Sequence, residues 1–263
     1  MKVSTMEKKT FLIFANHPDR FEKPIKEITE KLTSLGYSLV KENAELVIVF
    51  GGDGSLLRAA RELNFEGNFL LINSGHLGYY SDYSLNEYQD FLKDVETSTM
   101  EVERTSMYTI KINNKIINFI NDVVIQTTRS IELNIEINHQ PFTEVRSSGI
   151  VISTSLGSTG FSLSLDSPVM TNNLSCYQYA MIAPVYNRLF PNPINKALIS
   201  QRDTLQVKIK RGDYTICVDG MIYDHKLSPN YYQIQFDKMR TFKLAHFRKI
   251  RQFDRIRKSI QVK

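Results

Sequence analysis

The stretch Val47-Ile48-Val49-Phe50-Gly51-Gly52-Asp53-Gly54-Ser55-Leu56-Leu57-Arg58 constrains this 263-residue chain more than any other. Four large apolar residues in succession suit a strand buried on both faces, as in a parallel sheet covered by helices. The glycines that follow permit a tight turn and a close approach of backbone to ligand. Residues 56–63 then have helical character, and NFLLIN at 68–73 reads as the next strand. Upstream, residues 11–15 read as a buried strand. Residues 24–35 read as a helix with Ile25, Ile28, Leu32 and Leu35 on one face and Gly36 as its stop. Strand, turn, helix and strand describe a parallel βαβ unit. Ser84 with Glu87 forms a capping-box pattern that opens a helix to about residue 95.

A loop at the carboxyl end of a parallel strand is where open α/β sheets bind ligands, and the turn's N–H groups with the following helix N-terminus favour a phosphate. The spacing is neither that of a Walker A loop nor GxGxxG, since position 57 is Leu. A carboxylate beside phosphates repels them unless it binds a metal or takes a proton from an attacking hydroxyl, and both uses belong to phosphoryl transfer. The alternative is that Asp53 only hydrogen-bonds its own turn, as Asp often does.

Past residue 100 the pattern changes. MYTIKIN, KIINFINDVVIQT and IELNIEIN alternate and are rich in β-branched residues; Asn113-Asn114 and Asn138-His139-Gln140-Pro141 supply hairpin turns between them. TLQVKIK, YTICVDG, YYQIQF and FKLAHF continue the pattern. The expectation is an α/β N-terminal domain with parallel strands (1–99) followed by a β-rich C-terminal domain (100–263).

Two polar features interrupt the second half. Asn121-Asp122 lies within the otherwise apolar NFINDVVIQ, either as a ligand-binding amide and carboxylate or as a pair at a strand edge or bulge. Residues 153–162, STSLGSTGFS, supply hydroxyls, glycine and a ring, suited either to a loop that reads a base or to a turn capping a helix near Gly160.

Charge and cysteines bound the setting. Of the net +5, the segment 248–263 carries seven Lys or Arg against one acid, Asp254. Ile250, Phe253, Ile256 and Ile260 recur there at helical spacing, so it reads as an amphipathic helix packed back on the first domain rather than as a nucleic-acid or membrane arm. Cys176 and Cys217 have neither metal-site spacing nor the density of a disulfide scaffold. No run approaches the roughly 18 apolar residues of a membrane span. A soluble, cytoplasmic protein with no nucleic-acid or membrane partner is the expectation.

Taken in order, GGDGSLL (51–57), NSGHLGYYSDY (73–83), NDVVI (121–125), RSSGIVISTSLGSTGFSLS (146–164) and CVDG (217–220) resemble the bacterial-type NAD kinase family. The first motif occurs in lipid kinases and phosphofructokinases too; NDVVI with the second glycine loop separates NAD kinases from these. The resemblance implies transfer of the γ-phosphoryl of ATP, or of a polyphosphate phosphoryl in some members, to the adenosine-ribose 2′-hydroxyl of NAD, giving NADP. Such a transfer needs Mg²⁺ to neutralise charge on the transferred group, and the resemblance implies a homo-oligomer, dimer or tetramer.

Carried over by position, Asp53 acts at the accepting hydroxyl, with Gly51, Gly52, Gly54, Ser55 and Asp219 near the phosphates. Asn121 and Asp122 hold the dinucleotide, and Ser158, Thr159, Gly160 and Phe161 surround the adenine. Tyr79, Ser148 and Ser164 belong to the same pocket, and Arg146 could meet a ligand phosphate, across a subunit interface as the family suggests, or form a surface ion pair. His76 could touch phosphate or satisfy a loop carbonyl. The chain departs from the family at Ser148, where an Asp is usual, and at Ser155, where a Pro is usual. Phe161 stands in place of Tyr, and Asp166-Ser167 in place of Gly-Gly. Two rival readings follow: a diverged NAD-binding paralogue without kinase activity, or a lipid or sugar kinase sharing only the first loop.

Overall fold

The computed structural model describes residues 9–75, 78–112, 115–191, 193–227, 230–248 and 252–260. His76 and the Asn113-Asn114 turn lie outside them. The chain forms two compact units, one running to Arg104 and resuming at Phe242, the other spanning Thr105–Thr241.

The first unit is built on β1 (Thr10–Ala15), β2 (Ser38–Leu39), β3 (Leu46–Gly51), β4 (Asn68–Asn73) and β5 (Tyr83–Ser84). They lie in the order β5-β4-β3-β1-β2, and every pairing is parallel. Each residue of β3 is buried, as its apolar run requires. Helices α1 (Glu22–Ser34), α2 (Asp53–Glu62) and α3 (Tyr88–Thr97) accompany the strands. Ile28, Leu32, Ile48, Phe50, Ile72, Tyr83 and Phe91 share one core. Gly36 closes α1 at φ +85°, where a side chain would be strained. The Ser84–Glu87 box forms, with Ser84 N and Oγ both donating to Glu87 Oε2 at 2.9 Å.

The chain returns to this unit with the end of its last long strand, where Leu244 pairs with Phe69 of β4, and with a terminal helix, Gln252–Ile260. Ile250 lies outside the described residues; the helix keeps the expected pattern at Ile256, which is buried, and departs from it at two other positions. Phe253 is 59% exposed, whereas Arg255 is 3% exposed. The reason is a charge cluster. Arg255 donates to Asp82 Oδ1 at 3.1 Å and to Glu103 Oε2 at 2.9 Å, and His246 bridges the same two carboxylates. Burial lowers the His246 pKa, but the hydrogen bonds to Asp82 and Glu103 outweigh it and push it up to about 9. Two cations therefore face two carboxylates, the condition under which buried charge is tolerated.

The second unit is antiparallel β. It begins within β6 (Glu101–Ile112) and continues with β7 (Lys115–Phe119), β8 (Asp122–Ile137), β9 (Gln140–Ser153), β10 (Cys176–Ile182), β11 (Lys196–Ser200), β12 (Leu205–Arg211), β13 (Asp213–Val218) and β14 (Met221–Leu227). β15 (Asn230–His246) starts here, pairing with β12 through residues 230–234. The register of β8 shifts between Gln126 and Ile131, which divides the strand. Its first part lies between β9 and β13, its second between β9 and β12. Asn138 and His139 form the two-residue β8–β9 turn with φ +52° and +65°, as hairpins of this twist need. Val123, Ile125, Ile150, Ile152, Tyr177, Tyr179 and Ile216 belong to the core of this unit.

Candidate active site

In the first unit, α2 starts at Asp53, three residues earlier than helical propensity suggests, so Gly54 and Ser55 lie within its first turn. Packing explains the early start. A Cβ on Gly51, itself at φ +146°, would sit 2.1 Å from Ser55 Oγ, so the turn closes tightly on the helix. Asp53 does not bond its own turn. Its Oδ2 accepts from Tyr79 N at 3.1 Å and its Oδ1 from Tyr80 N at 3.4 Å. Burial raises its pKa and outweighs the backbone donors of Tyr79, Tyr80 and Gly78, which lower it. A carboxylate fixed in position and made more basic than usual is suited to accept a proton.

Asn73, a residue that sequence reasoning passed over, orders the loop beside it. Its side chain spans Gly75, accepting from N at 3.0 Å and donating to O at 3.2 Å, and a Cβ on Gly78 would lie 2.5 Å from Asn73 Nδ2. Its signal was a polar residue ending an apolar strand. Tyr79 is half-buried on the same loop.

In the second unit, Asp219 and Gly220 form the two-residue turn between β13 and β14 at φ +47° and +76°. The Asp219 carboxylate accepts from the backbone N–H groups of Ile120 (3.0 Å), Asn121 (2.8 Å) and Asp122 (3.1 Å). Its observed task is thus to hold the segment that presents Asn121 and Asp122. Thr154 clasps that segment from β9's end, its Oγ1 donating to Ile120 O and its N to Asn121 O. Gly160 lies against the pair, since a Cβ there would be 3.6 Å from Asp122 Oδ2 and 3.7 Å from Asn121 Nδ2.

The second glycine loop therefore meets Asn121-Asp122, but its residues differ in what they offer a ligand. Ser158 is buried, donating from Oγ to Ser155 O at 2.7 Å and accepting from Met170 N at 3.0 Å. It folds the loop. Thr159 is half-buried, Gly160 is exposed, and the ring of Phe161 is 37% exposed. Ser164 is exposed and donates to Phe161 O at 2.7 Å. Arg146 lies further down β9, exposed and bonded to Ser130 Oγ at 2.8 Å, with Ser148 half-buried beyond it. Asp166 occupies φ +55°, a conformation Asp tolerates better than most residues, so the turn forms here without glycine.

Burial, and then the nearby Asp219 charge, push the Asp122 pKa up to about 7. The group holds its proton more tightly folded than unfolded, where about 3.9 is normal. Its contribution to stability is greatest below pH 4 and declines as pH rises to about 7. The shift from about 3.9 to about 7 corresponds to a penalty of up to about 4 kcal/mol at pH 8, so Asp122→Asn is expected to raise the melting temperature by several degrees there, with a smaller gain at pH 5. Melting curves at the two pH values check this, and equal shifts would show an Asp122 that is ionised throughout.

Among the described residues no helix is long and apolar enough to cross a membrane. Residues 4–100 match the model of the ATP-NAD kinase N-terminal domain, and residues 120–243 that of the ATP-NAD kinase C-terminal domain. An NAD kinase of Streptococcus pneumoniae is 27% identical over 243 residues, an alignment covering 86% of this chain and 88% of the relative. The crystal structure of an NAD kinase from Archaeoglobus fulgidus in complex with ATP shares the fold at a TM-score of 0.73 and 20% identity, covering 95% of this chain and 99% of that one. Yeast NADH kinase complexed with NADH shares it at 0.79 and 14%, covering 97% and 87%. With both halves matched in order by the two domains of one enzyme family, the chain belongs to the NAD kinase family.

Proposed function

We propose that the protein transfers the γ-phosphoryl group of ATP to the 2′-hydroxyl of the adenosine ribose of NAD, with Asp53 as general base. The 2′ oxygen forms a bond to the γ-phosphorus, the bond from that phosphorus to the β–γ bridging oxygen breaks, ADP leaves and Asp53 takes the hydroxyl proton. The observation that carries this reading is the Asp53 carboxylate, held by two backbone N–H groups at the start of α2 and raised in pKa by burial. Asn121 and Asp122 offer an amide and a carboxylate to the ribose hydroxyls, and Thr159, Gly160 and Phe161 offer accessible surface to the adenine. Asp219 serves by holding the Asn121-Asp122 segment.

Charge on the transferred group must be neutralised, which calls for Mg²⁺. The donor phosphates supply the oxygen ligands that Mg²⁺ prefers, so the ion is proposed to arrive with the nucleotide. A homo-oligomer is supported by Tyr186, Leu189, Ile194 and Leu198, large apolar residues left exposed along one segment. A cytoplasmic location fits the substrates.

A coupled assay for NADP from NAD and ATP, beside a calorimetric NAD titration, tests the reading. NADP formation that needs ATP, Mg²⁺ and Asp53 is the expected result. NAD binding without turnover would instead favour the non-catalytic paralogue, and inorganic polyphosphate in place of ATP decides the donor.

A further inference from the structure

Gln178 sits in the middle of β10, in the sequence CYQYAMI, and is 2% exposed. Its neighbours Tyr177 and Tyr179 point into the core of the second unit. By the alternation of a strand, Gln178 faces the other way. Register identifies what it faces. Gln178 pairs with Ser153 of β9, and Ser153 pairs with Asp122 of β8. Asp122, Ser153 and Gln178 thus form a polar row across three adjacent strands, beginning at the carboxylate assigned above to the dinucleotide.

The Gln178 amide ties that row to the second glycine loop. Its Nε2 lies 3.1 Å from Ser153 Oγ, 3.3 Å from Ser162 Oγ and 3.2 Å from Pro168 O, three acceptors that share its two N–H groups. Pro168 O can only accept, which fixes the amide with its nitrogen on this side. Ser162 in turn reaches back along the loop, its Oγ lying 3.3 Å from Gly157 O and 3.4 Å from Ser158 O. Ser153 and Ser162 also meet directly at 3.1 Å. One buried side chain therefore joins the end of β9, the helical turn Phe161–Ser164 and the descent at Pro168. Ser153, Ser162 and Pro168 flank the stretch Thr159-Gly160-Phe161 on both sides along the chain.

Gln178 Oε1 is buried with no partner among the described residues. The contacts the amide makes are all through its donating end.

We infer that Gln178 is a positioning residue for dinucleotide recognition: it sets the Thr159–Phe161 loop against Asn121 and Asp122 without touching the ligand. The inference rests on the assignment of that loop to NAD. Gln178→Met keeps length and bulk and removes the donor. In the full-length protein this variant is expected to raise KM for NAD and calorimetric Kd for NAD about tenfold, the equivalent of one or two neutral hydrogen bonds. KM for ATP is expected to stay within about twofold. A merely structural residue would lower melting temperature and active fraction without separating the two substrates.

Ser162→Ala removes the other end of the same link. It should reproduce the NAD effect, and the double variant should be no worse than the worse single one, as coupled groups require. An unchanged KM for NAD in a folded Gln178→Met, an equal rise in both KM values, or single effects that multiply would each overturn the inference. Should Gln178→Met fail to fold, Ser162→Ala decides alone. Wild-type protein that binds NAD and forms no NADP would sink the kinase reading only, because the calorimetric comparison still reports on Gln178. Wild-type protein that fails to bind NAD would overturn both.

Discussion

Asp53→Asn is expected to lower turnover by about 10²- to 10⁴-fold, the usual contribution of a general base, while NAD affinity stays within about twofold. The substitution keeps the size of the side chain and one acceptor oxygen. The bond from Tyr79 N to Asp53 Oδ2 or the longer one from Tyr80 N to Oδ1 can then persist, but not both. The loss falls on the proton-accepting step rather than on the fold. It should appear in kcat with ATP and NAD both saturating, with a melting temperature near that of the wild type. A variant that keeps more than about a tenth of wild-type turnover would show that Asp53 serves only to tie the Tyr79–Tyr80 backbone to α2.

The second large effect is expected from one methyl group. A Cβ on Gly157 would lie 2.0 Å from the carbonyl oxygen of Asn121 and 2.6 Å from its carbonyl carbon. Both obstacles are backbone, so no side-chain rotation relieves them. Either the glycine loop or the Asn121 peptide must move, and the 3.0 Å bond from Thr154 N to Asn121 O lies in the path of that movement. Overpacking of this kind typically costs about 1–3 kcal/mol. If the protein relaxes by displacing Asn121, the cost appears as weaker binding of NAD, up to about a hundredfold. If it does not relax, the cost appears as stability. Gly157→Ala is therefore expected to fail by calorimetry with NAD, by thermal melting, or by both. Wild-type values in both measurements would show that the loop does not press on Asn121 as the structure has it.

How much of this was legible in the sequence depended on how local the cause was. The apolar run before Gly51 must be a strand covered on both faces, and the Asn121-Asp122 pair stands out because its neighbours are apolar. Both follow from a few adjacent residues. The start of α2 at Asp53 was not legible, since glycine disfavours a helix and the close fit of Ser55 against Gly51 shows only in the folded chain. Arg255 reads as a solvated charge until Asp82 and Glu103, more than 150 residues earlier, are placed beside it. Ser158 reads as a ligand contact because its hydroxyl is in a glycine loop, yet its partner, Met170 N, is twelve residues away. Gln178 gave a faint signal, one polar residue between two tyrosines, which fits a solvent-facing position equally well.

The terminal helix carries one more consequence, for the order in which the chain takes shape as it is made. The second unit is one uninterrupted stretch, Thr105–Thr241, so its whole sequence has been synthesised before Phe242 is added. The first unit is interrupted by it. When its opening hundred residues leave the ribosome, Leu244 is not there to lie beside Phe69, and neither His246 nor Arg255 is there to meet Asp82 and Glu103. Domains fold as units when their sequence becomes available. Until residues 242–255 have been made, the first unit therefore lacks one neighbour of its sheet and both counter-cations of Asp82 and Glu103.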